Sequence, residues 1–167
     1  MYVAVVGPES EATAADIERA RELGRLLAVR GAVVVTGGLG GVMAAALEGA
    51  ASADGTTVAL LPGSDRSAAA TPATVVVATG LGEGRNAVLV RTVDAVIAVG
   101  GSWGTLSEIA LARRAGLPVV CVGGWSVVDA AGAPLDLDRA EDPGEAVAAV
   151  LPPLAPPSPG GRGRMGA

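Results

Sequence analysis

The sequence contains no histidine, lysine, glutamine or phenylalanine, and it has one cysteine, one tyrosine and one asparagine. Without histidine, a Ser-His-Asp triad has no imidazole base. Without lysine, neither a P-loop nor a pyridoxal-phosphate Schiff base can be built. A metal site of histidine or clustered cysteine ligands is excluded in the same way, so we expect no metal and no resident cofactor. The groups left for chemistry are carboxylates, hydroxyls, backbone amides and 12 arginines.

The charge balance and the apolar pattern limit the partners. A net charge of −5 disfavours a nucleic-acid partner, which a basic surface would attract. No apolar run reaches the roughly 18 residues that a membrane span needs, and the first residues lack the basic start of a signal peptide. The lone Cys121 fits a reducing compartment. We therefore predict a cytoplasmic protein with no membrane partner.

Valine-rich runs alternate with alanine-rich helical stretches along the 167 residues. This alternation predicts an α/β fold: a single doubly wound, Rossmann-like parallel sheet of about six strands, with helices on both faces. The domain would span residues 1–151, and residues 152–167 form a flexible tail rich in proline and glycine. The predicted strands are 2–6, 32–35, 57–61, 74–78, 95–99 and 118–122. The predicted helices are 13–30, 42–53, 85–92, 105–115 and 142–150, with residues 123–141 irregular.

Four glycine-rich loops follow predicted strands, at residues 7–10, 37–41, 80–84 and 100–104. Glycine at such places serves simple strand-to-helix turns. Ligands of open parallel sheets, however, bind at the carboxyl ends of the strands, and helix N-termini attract anions. Taken together, the four loops favour a ligand that carries phosphate. The loop at 37–41 does not fit a dinucleotide fingerprint, because the third glycine is missing.

Two segments resemble a known family: TGGLGGVMAAALEGAASADGTTVALLPG at 36–63 and TGLGEGRNAVLVRTVDAVIAVGGSWGTLSE at 79–108. They resemble the LONELY GUY-like Rossmann proteins, and within them most of all the smaller branch that includes molybdenum-cofactor carrier proteins. LONELY GUY enzymes cleave the N-glycosidic bond of nucleoside 5′-monophosphates. Their signature PGGxGTxxE corresponds here to Gly100–Glu108, and Arg85 stands nine residues before Asp94 as in the enzymes.

The resemblance implies that Arg85 and Glu108 are a catalytic pair and that the loop 101–105 binds phosphate. The chain differs from the enzymes at three positions: Gly100 replaces proline, Ser102 replaces glycine and Asn86 replaces lysine. The Arg-Asn version is similar to the carrier branch. The predicted ligand- and phosphate-binding residues are Gly7, Gly37, Gly38, Gly41, Met43, Asn86, Gly101, Ser102, Trp103, Gly104 and Thr105.

Two functions stay open at this point. One is a binding or carrier protein for a phosphorylated, nucleotide-like or pterin-type small molecule. The other is a phosphoribohydrolase, in which the carboxylate of Glu108 would stabilise an oxocarbenium-like state.

Several side chains have a structural alternative. Thr105-Leu106-Ser107-Glu108 also reads as a capping box, with Glu108 bonded to the backbone. Asn86 could contact a ligand or cap its own helix, and Trp103 could stack on a base or pack under a loop. Arg85 is placed where the helix dipole disfavours a cation, so a bound anion explains it better.

Two further expectations concern geometry. The segments 42–51 and 87–90 are so apolar that a lone domain could not cover both, which predicts a homo-oligomer, a dimer or larger, built on these helices. Arg85 reaches the phosphate loop only if the fourth and fifth strands flank one crevice.

Overall fold

The computed structural model describes residues 1–70 and 73–152 and shows a Rossmann-like α/β fold. The strands are β1 Tyr2–Val6, β2 Val33–Thr36, β3 Thr57–Leu61, β4 Val75–Ala78, β5 Ala95–Val99, β6 Val119–Val122 and β7 Asp138–Ala140. The α-helices are α1 Ala14–Val29, α2 Val42–Ala51, α3 Arg85–Arg91, α4 Trp103–Arg114 and α5 Pro143–Val150. Two 3-10 turns cover Arg66–Ala68 and Gly82–Gly84.

The seven strands form one parallel sheet in the order β4-β3-β2-β1-β5-β6-β7. Helices α1, α2 and α5 cover one face, and α3 and α4 cover the other. The chain first builds outward from β1 to β4 and then continues with β5 on the opposite side of β1. The neighbouring strands β1 and β5 therefore form the topological switch point, and ligands of such sheets bind at the carboxyl ends of these strands.

The predicted fold class is confirmed, with two corrections. The segment 123–141, predicted to be irregular, contains the seventh strand. This strand is three residues long, lies at the sheet edge and begins with two exposed charged residues, Asp138 and Arg139, so it lacks an apolar run. The expected crevice between the fourth and fifth strands is wrong, because β3, β2 and β1 lie between them.

Helices α1 and α2 pack with their backbones in contact. A methyl group added to Gly24 would collide with the carbonyl of Ala46, and one added to Gly49 would collide with the carbonyl of Arg21. Packing against α1 and against the sheet buries seven of the ten residues of α2. The reason given above for an oligomer is therefore wrong for residues 42–51, which the chain covers by itself.

The starts of α1 and α5 follow their sequence signals. Thr13 and Asp16 form the capping box of α1, and Asp142 caps α5 with Pro143 in its first turn. No helix in the part of the chain that the structure describes is both long and apolar enough to span a bilayer. Of the predicted tail, only Pro152 falls within the described residues, and its carbonyl accepts a hydrogen bond from Arg30.

Candidate functional site

A cleft of about 170 Å³ with both polar and apolar lining residues opens at the carboxyl edge of the sheet, at the switch point between β1 and β5. The loop after β1, the start of α2, the start of α3 and the first two turns of α4 form its walls. The lining residues are Gly7, Pro8, Glu9, Met43, Arg85, Asn86, Ser102, Gly104, Thr105 and Glu108. Residues far apart in the sequence thus meet where the topology predicts a ligand.

Helix α4 begins earlier than its sequence predicts. Ser102 is its N-cap: the Ser102 Oγ accepts a hydrogen bond from the Thr105 amide at 3.1 Å and lies 2.9 Å from Thr105 Oγ1. Gly104 and Thr105 consequently belong to the first turn rather than to a loop. The capping-box interpretation of Glu108 is wrong, because Thr105 is already inside the helix and Glu108 lies in its second turn.

Arg85 reaches the cleft because α3 crosses the face of the sheet and packs against α4. Its residue is only 6% exposed. Neither Nε nor Nη1 has a hydrogen-bond partner among the described residues. The nearest opposite charge is Glu108, with 3.6 Å between Nη1 and Oε1. Burial lowers the pKa of the Arg85 guanidinium, and the Glu108 carboxylate opposes that shift.

Glu108 is as deeply buried as Arg85, with 6% of the residue exposed. Burial raises the pKa of its carboxyl from 4.5 to about 7, against the opposing effect of Arg85. A carboxyl with such a pKa exchanges its proton near neutral pH. The cleft therefore combines a fixed cation with an acid that can be charged or neutral.

The other predicted residues of the cleft floor have simple reasons to be there. Gly7 must be glycine, because a side chain would press on Val42 and on the carbonyl of Val99. Asn86 is half-buried and lines the cleft. Its alternative role is wrong, since the N-cap position of α3 is Gly84 and no side chain in the described residues caps that helix.

The glycine-rich loop after β2 leads into α2, whose second residue, Met43, lines the cleft. Gly37 makes room for the guanidinium, because a methyl group there would collide with Arg85 and with Met43 Sδ. Gly38 and Gly41 have φ angles of 73° and 61°, the left-handed region that favours glycine. A side chain on Gly41 would also meet the carbonyls after β1. These three predicted residues support the cleft without lining it.

Trp103 and Gly101 also lie outside the cleft lining. The Trp103 ring packs edge-on against Trp125, with 5.0 Å between ring centroids, and Trp103 remains 78% exposed. Trp125 leans on Gly101, where any side chain would strike the indole. Arg139 holds this loop by donating a hydrogen bond to the Trp125 carbonyl at 2.8 Å. The cavity behind Trp125 measures about 20 Å³, enough for one water.

Sequence reasoning missed Pro8 and Glu9 as cleft residues and Trp125 as the partner of Trp103. The first two carry a signal, because they stand in the glycine-rich loop 7–10 directly after the predicted residue Gly7. Trp125 carries no such signal, because it sits in a segment without periodicity.

Comparisons with known proteins agree with this architecture. A family model described as the SLOG cluster4 family matches residues 1–147. An uncharacterised protein of Archaeoglobus fulgidus is 40% identical over 116 residues, which are 70% of this chain and 76% of that protein.

Two solved structures are similar over most of the chain. The molybdenum cofactor binding protein of the phototrophic bacterium Rippkaea orientalis is 33% identical with a TM-score of 0.79, covering 87% of this chain and 92% of that one. The molybdenum cofactor carrier protein of Chlamydomonas reinhardtii is 33% identical with a TM-score of 0.75, covering 89% and 94%.

Proposed function

Because the chain belongs to the SLOG cluster4 family, a LONELY GUY-like Rossmann family, we propose that it is a binding or carrier protein for a phosphorylated, nucleotide-like small molecule. The ligand would occupy the cleft between β1 and β5. The names of the two similar structures, a molybdenum cofactor binding protein and a carrier protein, support a role in binding a small molecule. A phosphorylated pterin-type cargo falls within the proposed ligand class.

The observation that carries this proposal is the unpartnered guanidinium of Arg85. Its Nε and Nη1 are buried and have no acceptor in the described residues. A buried polar donor without a partner costs about 1–3 kcal/mol, and more when it is charged. A bound phosphate oxygen would supply the missing acceptor, in the charge-assisted geometry that arginine favours, and its charge would add to that of the Glu108 carboxyl group 3.6 Å away.

The start of α4 offers a second contact to the same anion. Ser102, Gly104 and Thr105 line the cleft, so this helix start brings the positive end of its dipole and its first-turn amides, apart from the Thr105 amide that Ser102 caps, to the ligand. The first turn of α4, all of which the structure describes, contains no acidic residue that would neutralise this end. We place the phosphate between Arg85 and this helix start, with Asn86 beside it.

A second candidate function is hydrolysis of nucleoside 5′-monophosphates, favoured by the buried Glu108 beside Arg85. In that reaction water adds to the anomeric carbon while the bond to the base nitrogen breaks and its electron pair leaves with the base. The water proton passes to the released base. An ionised Glu108 would stabilise the positive charge on the sugar and orient the water. Its pKa of about 7 leaves a share of the ionised form available at neutral pH.

Binding is tested by calorimetry with a panel of 5′-monophosphates, together with mass spectrometry of any ligand that copurifies. Arg85→Ala should weaken binding about 10- to 100-fold, the value of a hydrogen bond to a charged group. Arg91→Ala is the matched control, since Arg91 is exposed in the last turn of the same helix. Unchanged affinity in Arg85→Ala would refute the proposed site.

Release of free base separates the two functions. If the protein is a phosphoribohydrolase, the panel yields free base and Glu108→Gln abolishes it while binding persists. If it is a carrier, neither protein releases base. Glu83→Gln, which changes an exposed carboxylate outside the cleft, controls for the loss of charge.

We also propose that the protein is a homo-oligomer, a dimer or larger. Helix α2 is covered within the chain, but β4 exposes Val75 and Val77 at the sheet edge, and Ala87 is exposed on α3. An apolar edge strand is a ready surface for association. Light scattering at micromolar concentration should give at least twice the chain mass, and a monomer mass would overturn the proposal.

A further inference from the structure

The N-termini of two helices, α2 and α4, lie at the cleft, and the side chains next to them differ in charge. Ser102 caps the start of α4, and the first turn of that helix carries no acidic side chain. At the start of α2 lies the side chain of Glu9: a methyl group placed on Gly40 would be 3.4 Å from its Cγ and 3.6 Å from its Oε1. Within the described residues, no side chain caps α2 by a hydrogen bond.

The loop that carries Glu9 is fixed to the same helix. The Val42 amide donates to the Pro8 carbonyl at 3.1 Å. The carbonyls of Pro8 and Glu9 lie so close to Gly41 that no side chain fits between them. These contacts fix the backbone of Glu9 beside the start of α2.

The cleft is lined by more carboxyl groups than cationic groups. Among the residues that the structure describes, three ionisable side chains line it: Glu9, Arg85 and Glu108. The one cation already faces a carboxyl 3.6 Å away. A single phosphate on Arg85 and α4 has a cationic partner, whereas a second phosphate extending toward α2 would lie beside the carboxylate of Glu9.

We infer that Glu9 is a specificity-determining residue of this cleft, whose carboxylate keeps a second phosphate group away from the α2 side. The inference rests on the proposed function, because it presumes that the first phosphate lies on Arg85. An ionised carboxylate is an acceptor only. On its side of the cleft Glu9 favours hydroxyl or amino groups of the ligand, and it repels phosphate oxygens.

The test compares adenosine 5′-monophosphate with adenosine 5′-diphosphate, which differ by one phosphate group. Calorimetry on the full chain should show the monophosphate binding more tightly. In Glu9→Gln the ratio of the two dissociation constants should shift about tenfold in favour of the diphosphate, because removing a nearby like charge removes its repulsion. Glu11→Gln removes the same charge two residues further on, outside the cleft, and should leave the ratio unchanged.

The outcomes separate this inference from the function beneath it. If neither nucleotide binds, or if Arg85→Ala leaves monophosphate binding intact, the proposed function fails and the role of Glu9 with it. If binding depends on Arg85 and the ratio is the same in Glu9→Gln, only the inference is overturned. A lower melting temperature of Glu9→Gln with an unchanged ratio would assign Glu9 to stabilising α2 instead.

Discussion

Two glycine-rich loops of this protein look alike in sequence and differ in what they do. The loop after β2 uses its glycines for close packing: Gly37 lies against Arg85, and Gly41 lies against the carbonyls after β1. The segment after β5 places Ser102, Gly104 and Thr105 on the surface of the cleft. A glycine after a strand therefore indicates that another group packs closely against the backbone there. Polar side chains next to that glycine indicate that the group is a ligand rather than another part of the protein.

The first prediction tests this difference with a glycine-to-alanine substitution in each of the two segments. Gly41→Ala should lower the free energy of unfolding by about 3–4 kcal/mol, because it combines a left-handed backbone with overpacking. Gly104→Ala should be neutral or stabilise by about 0.5–1 kcal/mol, since it lies within a helix where alanine is preferred. The nearest atom that its methyl group would meet, Ser102 Oγ, is 3.7 Å away.

Denaturant unfolding of the two variants measures the contrast. Equal losses of stability would mean that the two segments have the same role and would contradict the structure.

A second prediction sharpens the electrostatic side of the comparison, because only the α4 wall carries a buried acid. The folded pKa of Glu108, about 7, lies above its ordinary value of 4.5, so the folded state binds the proton more tightly than the unfolded state. Stability from this group is fully present below about pH 4.5, falls as the pH rises, and levels off above pH 7. The total loss is about 3 kcal/mol, following from the size of the pKa shift.

Urea unfolding at several values between pH 5 and 8 checks this, with Glu108→Gln beside the parent protein. The parent should lose stability relative to the variant as the pH rises through this range. Parallel curves would show that Glu108 is not held in a desolvated environment.

The third and smallest effect concerns Trp103, which belongs to the α4 start and yet does not line the cleft. Trp103→Ala should cost about 0.5–1.5 kcal/mol of stability, the usual contribution of an aromatic pair. It should change the dissociation constant for adenosine 5′-monophosphate less than twofold. A large loss of affinity would show that the indole turns toward the ligand and would restore the stacking role considered for it from the sequence.

Much of this architecture could be predicted from the sequence because it depends on local patterns. The observed bounds of β1, β3 and β5 equal the predicted ones, and Thr13 is the N-cap that its sequence predicts. The strand β7 could not be, since a short polar edge strand is stabilised by its neighbour β6 and not by its own residues.

The same distinction between local sequence patterns and contacts made by the fold applies to the site. Arg85, Glu108 and Ser102 follow from a motif, and the structure brings them together. The start of α4 was misplaced because Ser102 and Thr105 are both good capping residues, and only the backbone decides between them. Glu9 and Trp125 come from separate loops, and what they face depends on the order of strands in the sheet.

The pairing of Trp103 with Trp125 has an optical consequence. These are the only two tryptophans in the chain, and one tyrosine is the sole other aromatic residue. Nearly all near-ultraviolet absorption and intrinsic fluorescence therefore comes from two rings whose centroids are 5.0 Å apart, close enough for their electronic transitions to couple. One ring is carried by the first turn of α4 and the other by the loop that Arg139 of β7 holds. The coupled signal therefore reports the distance between the start of α4 and this loop. The tryptophan pair is thus an intrinsic spectroscopic probe near the cleft, and it needs no attached label.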